Sequence, residues 1–195
     1  MRRLQQALLI GAVLCAGSAM AQVPPSPHAN PQVVPPGSDK PEAQEAPART
    51  DQKKLVTLIA QGGMAEVAAG QLAQSRARLP SVRRFADQMV FDHTKGNADL
   101  AAAAAQANIV IPSALAAEHQ AKVMAMGNVA DADFDQAYIQ QQVKDHRSMI
   151  ELHRQLQDTS TPALADYARS SLPKLEEHLR LAQGVERDLK DKKRE

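Results

Sequence analysis

Histidine and glutamate carry most of the chemistry this chain can offer. His93, His146 and His178 fall in three separate helical segments, and Glu66 falls in a fourth that has no histidine. Imidazole nitrogen and carboxylate oxygen together suit copper, zinc, iron or nickel. If the four segments pack with these residues inward, Glu66, His93, His146 and His178 form one mixed nitrogen and oxygen site. Met89 lies four residues before His93, and Met149 lies three after His146 and four before His153. Thioether sulfur there would tilt the choice toward copper. The competing reading is structural: interior histidines hydrogen-bond across a bundle, and methionine is ordinary core filler. His28, His119 and His153 complete the set of six.

Four histidines follow an acidic residue, in Asp92-His93, Glu118-His119, Asp145-His146 and Glu177-His178. Adjacent helical residues point about 100° apart, so such a pair need not share a ligand site. A di-iron centre requires Glu-x-x-His on two helices. Val90 and Leu175 stand at the glutamate positions before His93 and His178, so that pattern is absent. Other chemistries are absent too. There is no Gly-rich phosphate loop and no G-x-S-x-G elbow. A single cysteine, Cys15, excludes a multi-cysteine zinc site and a disulfide scaffold. No catalytic residue is assigned. The net charge of +1, from 23 basic and 22 acidic residues, gives no electrostatic case for nucleic acid.

The elements that must position these residues are helices. Five aromatics and no Trp in 195 residues leave little for a sheet core, and Ala, Leu and Gln suit helices. The first long helix is expected over about 51–79, with Thr50 as N-cap. Leu55, Ile59, Glu66 and Ala73 share its stripe, and Gly62-Gly63 marks a kink or a close crossing. After Pro80-Ser81, a second helix over about 82–107 presents Val82, Phe85, Met89, His93, Leu100 and Ala104. Residues 108–132 are a long crossover, with a short helix starting at Pro112-Ser113. A third long helix from Asp131 or Asp133 to about Asp158 carries Phe134, Tyr138, Met149, Leu152 and Leu156. His146 lies on its adjoining stripe. Thr161-Pro162 starts the fourth, to about Lys190, as N-cap and N1 proline. Leu164, Ala168, Ser171, Leu175, His178, Ala182, Val185 and Leu189 recur at spacings of four and three, a bundle seam. Pro173 predicts a kink or break near Ser171. Four helices, each roughly 40 Å long, with two short loops and one long crossover, predict an all-α, ferritin-like four-helix bundle.

The N-terminal residues read as an address. Arg2 and Arg3 precede an apolar run over 7–17, and Ala19-Met20-Ala21 supplies small residues at a cleavage site. This predicts a secretory signal peptide, residues 1–21, cut after Ala21. Cleavage removes Cys15 and turns the small positive charge into a small negative one. Residues 22–49 hold eight of the twelve prolines and predict a disordered linker. The bundle follows over 50–190, then a charged tail, 191–195.

These residues carry a family resemblance. Gly63-Met64-Ala65-Glu66-Val67, Val82-x-x-Phe85-Ala86-x-x-Met89-Val90-x-Asp92-His93, Phe134-Asp135-x-x-Tyr138 with His146, and Leu172-Pro173-x-Leu175-x-x-His178-Leu179-x-x-Ala182 occur in order. Together they resemble the DUF4142 family of exported bacterial proteins. The resemblance implies a ferritin-like bundle with Glu66, His93, His146 and His178 as recurring polar interior positions. It implies no activity.

Two functions are expected from this reading. The first is a non-enzymatic periplasmic bundle, a cell-envelope or stress-related interaction protein, monomeric or homodimeric, and peripheral to the outer membrane if it meets one. No strand pattern of a membrane barrel is present. The second is a bundle that binds copper, zinc or iron through the four inward residues.

Overall fold

The structure, a computed structural model, describes the backbone of residues 47–192 and the side chains of residues 51–192. The expected signal peptide and nearly all of the expected linker lie outside the described residues. The described residues belong to one compact unit, 43–195. They form five helices: α1 (Pro47–Arg76), α2 (Pro80–Gln106), α3 (Ala117–Gly127), α4 (Asp131–Thr159) and α5 (Pro162–Lys192).

The four long helices form a square. α1 packs on α2 and α4, and α5 packs on α4 and α2, so α2 and α4 are diagonal neighbours. The short loops over 77–79 and 160–161 make α1–α2 and α4–α5 hairpins. The inserted α3 lies against α1 and α4. This is an all-α, four-helix-bundle arrangement with one short helix in its long crossover. No described helix is long and apolar enough to cross a membrane.

Several local expectations give way to tertiary contacts. Thr50 lies inside α1, which already begins at Pro47, so it is not an N-cap. The short helix starts at Ala117, not at Pro112-Ser113. The Gln61 amide holds the preceding backbone: its Nε2 donates to the Ala114 carbonyl at 3.0 Å, and its Oε1 accepts from the Ala116 N–H at 2.6 Å. α2 begins at Pro80, with Leu79 as an N-cap that has no side chain able to cap. Asp135 of α4 holds the loop just before α2, accepting from the N–H groups of Arg78 and Leu79 at 3.0 and 2.9 Å.

The prolines and glycines also resolve. α5 runs unbroken through Pro173. Pro173 and Arg169, whose carbonyl loses its partner, both face solvent, where water satisfies it. α1 runs unbroken through Gly62-Gly63. The glycines serve close approach: a Cβ at Gly62 would lie 2.7 Å from Met149 Sδ, and one at Gly70 would lie 2.8 Å from Val90 Cγ2.

The apolar core is split in two. One cluster holds Ile59, Leu100, Met149, Ile150, Leu164 and Leu175. The other holds Ala73, Phe85, Met89, Phe134, Tyr138 and Ala182. On each long helix a buried polar residue falls between its contributions to the two: Glu66 on α1, where Gln61 lies there as well, His93 on α2, His146 on α4 and His178 on α5. The helices thus place Glu66 and the three histidines in one layer across the bundle.

Candidate metal centre

Three of the four predicted residues converge. One nitrogen each from His93, His146 and His178 lies within 4.8 Å of the others, and all three rings are buried. His146 is the hub. Its Nε2 is 3.4 Å from His93 Nε2, across the diagonal from α4 to α2, and 3.3 Å from His178 Nδ1 on α5.

The far side of two rings is fixed. His146 Nδ1 is 2.9 Å from the Gln142 carbonyl, one turn back on α4. A carbonyl only accepts, so His146 Nδ1 carries the proton and Nε2 is a lone pair. His178 Nε2 is 2.8 Å from Asp92 Oδ2. That places the proton on Nε2 and leaves Nδ1 as a lone pair. Two lone pairs therefore face each other across 3.3 Å in the core. Orientation of ligating imidazoles by a carbonyl or carboxylate is the usual outer-shell arrangement of metal sites.

The electrostatics keep the rings neutral. Burial, then the charge of His178, pushes His146 down to about 4. Burial and the other histidines hold His93 well below the ordinary histidine value. Burial also lowers His178, against the opposing pull of Asp92. Neutral imidazole is the form that binds metal. The two spacings from His146 fit as well. Metal–nitrogen bonds of about 2.0–2.1 Å in a tetrahedral site put ligand nitrogens about 3.3–3.4 Å apart.

Glu66 does not join this group, which among the described residues contains the three histidines alone. Its Oε2 accepts from Gln142 Nε2 at 2.6 Å. Burial, then the charge of Asp145, pushes its carboxyl up to about 8. Met89 packs in one apolar cluster and Met149 in the other. His153 donates from Nδ1 to the Met149 carbonyl at 2.7 Å and meets the Tyr167 hydroxyl at 3.4 Å. His119 lies on α3, beside Glu118.

Sequence reasoning missed two partners. Asp92 serves His178 of another helix and not its neighbour His93; the Asp-His dipeptide was the available signal. Gln142 links Glu66 to His146, binding the first through its amide and the second through its carbonyl. No pattern in the sequence marked it.

A cavity of about 270 Å³ borders the centre, with His93, His178, Asp92 and Lys174 among its walls. It gives two of the three rings a face toward an opening.

Comparison with known proteins supports the fold. A crystal structure of a DUF305 fragment from Deinococcus radiodurans is similar with a TM-score of 0.60 at 13% identity. The match covers 69% of this chain and 93% of that one. At that identity the likeness concerns the fold. No curated protein matches the chain. The model of the domain of unknown function DUF4142 matches residues 37–185, most of the chain, and the protein belongs to the DUF4142 family.

Proposed function

We propose that this protein is an exported metal-binding bundle that holds one transition-metal ion, copper, zinc or iron, on His93, His146 and His178. The observation that carries the reading is the pair of lone pairs, His146 Nε2 and His178 Nδ1, 3.3 Å apart in a buried site. Apposed lone pairs repel, and a cation between them turns that repulsion into two bonds. The same observation favours this function over a metal-free envelope-interaction protein. Three nitrogens leave a fourth position for water or another small ligand, and the cavity beside His93 and His178 supplies an entry path.

Export rests on the N-terminal pattern of Arg2-Arg3, the apolar run and Ala19-Met20-Ala21. A periplasmic location follows from it. The single long connection between α2 and α4 supports a ferritin-like topology for the bundle.

The test is metal analysis of protein purified without a histidine tag, followed by titration with Cu(II), Zn(II) and Fe(II) against a competing chelator. One equivalent is expected in the wild type, with binding lost in His178→Ala and kept in His119→Ala. Absence of binding for all three metals, or equal binding by His178→Ala, would sink the proposal.

A further inference from the structure

The histidine centre leaves Glu66 without a role. On its other side, α3 lies over α1 and α4 and closes a cavity of about 290 Å³. Leu58, Ala65, Ala69, Val123 and Met126 supply apolar wall. Glu66 and Tyr138 also line it, with Asp145 on the same α4 wall.

Two polar atoms are unpaired, one on the wall residue Tyr138 and one on Gln142, the partner of Glu66. The Tyr138 hydroxyl and Gln142 Oε1 are both buried without a hydrogen-bond partner. Gln142 Nε2 already donates to Glu66. The carboxylate and the amide oxygen are acceptors, and the phenol can accept. What the Tyr138 and Gln142 oxygens lack is a donor, and the Tyr138 O–H lacks an acceptor as well. The one lysine of the wall, Lys122, is exposed, and among the described residues no cation pairs with Glu66. Burial and Asp145 push Glu66 up, and burial and the charge of Glu66 push Tyr138 up. Burial leads both shifts, so Glu66 keeps its proton at neutral pH in the empty cavity and ionises above about 8, where no cation is at hand to pair with it. The other charged walls are Glu118, His119 and Lys122, and His119 sits 3.5 Å from Glu118.

We propose that this cavity is a second binding site, for a small primary amine with an apolar body, whose ammonium group is held by Glu66 and Tyr138. An ammonium brings three donors and one positive charge, and the apolar walls take the carbon chain. A bare metal ion fits less well, because Glu66 lies outside the metal-ligand group among the described residues. The site lies on the α3 side of the bundle and does not depend on the histidine centre.

The experiment is an NMR titration of the full chain at about pH 9, above the folded value of Glu66, with n-hexylammonium chloride, 1-hexanol and sodium hexanoate. Saturable shifts are expected at Ala65, Ala69 and Val123. The ammonium should bind on the order of ten-fold more tightly than the alcohol, and hexanoate should not bind. Glu66→Gln, which keeps the side chain's shape, should erase the preference for ammonium, and His178→Ala should leave it intact. Equal binding of ammonium and alcohol would overturn the proposal, showing an apolar groove with no charge recognition. So would the absence of saturable shifts, or displacement of the amine by zinc chloride in His178→Ala.

Discussion

Asp92 is joined to His93 in sequence, yet it accepts its hydrogen bond from His178, 2.8 Å away on α5. The carboxylate thereby fixes which nitrogen of His178 faces the other rings. Asp92→Ala should lower metal affinity by about 10–100-fold, the usual cost of losing such a partner. Chelator competition reads this, with circular dichroism as a check on helix content. Unchanged affinity would remove Asp92 from the positioning of the site.

Metal should also stabilise the fold, because the site exists only when α2, α4 and α5 are assembled. At a free metal concentration of 100 times Kd, linkage contributes about 2.7 kcal/mol. For a domain of this size that is a rise in Tm on the order of 5–10 °C. Calorimetry should show this rise in the wild type and no rise in His146→Ala.

Stability should carry an acid–base signature from Glu66. Its folded value is raised to about 8 from an ordinary 4.5, so the folded state holds a proton that the unfolded chain has released. Stability from this group is therefore complete below pH 4.5 and lost as pH rises toward 8. The loss is on the order of a few kcal/mol. The lowered histidines act in the opposite sense below about 6.5, where acid favours the unfolded chain. Glu66→Gln keeps the histidine effect and removes the carboxyl. Urea unfolding across pH should show the variant gaining on the wild type between 4.5 and 8. Parallel curves would contradict the burial of an ionisable carboxyl.

α1 and α2 cross closely at Gly70. A methyl there would meet Val90 Cγ2 at 2.8 Å and the Ala86 carbonyl oxygen at 3.4 Å. Val90 is β-branched and its χ1 is fixed in a helix, so the helices must separate. Gly70→Ala should cost about 1–3 kcal/mol in denaturant unfolding, despite a gain in helix propensity of about 1 kcal/mol. A stabilised variant would show that the crossing is not tight.

Much of this was legible because the seams are regular. On α5 the four-and-three spacing runs through Leu164, Ala168, Leu175, His178 and Ala182, so His178 had to face inward. His93 and Glu66 stand out in the same way on their own stripes. Longitudinal register was not legible. Whether four inward residues share a level, and which of them touch, depends on how helices slide and on which pairs are diagonal. Inward position alone puts Glu66 with the histidines, whereas in the structure it pairs with Gln142. Loop and cap contacts were hidden for a related reason. Gln61 on the crossover and Asp135 on the start of α2 act between segments 53–57 residues apart, beyond any local pattern.

The most direct measurement of the central claim is X-ray absorption on the metal-loaded protein. The histidine centre predicts three imidazole nitrogens at about 2.0–2.1 Å from a bound zinc or copper ion, with the imidazole scattering reduced in His146→Ala. A first shell of oxygen alone, or a spectrum that His146→Ala leaves unchanged, would contradict it.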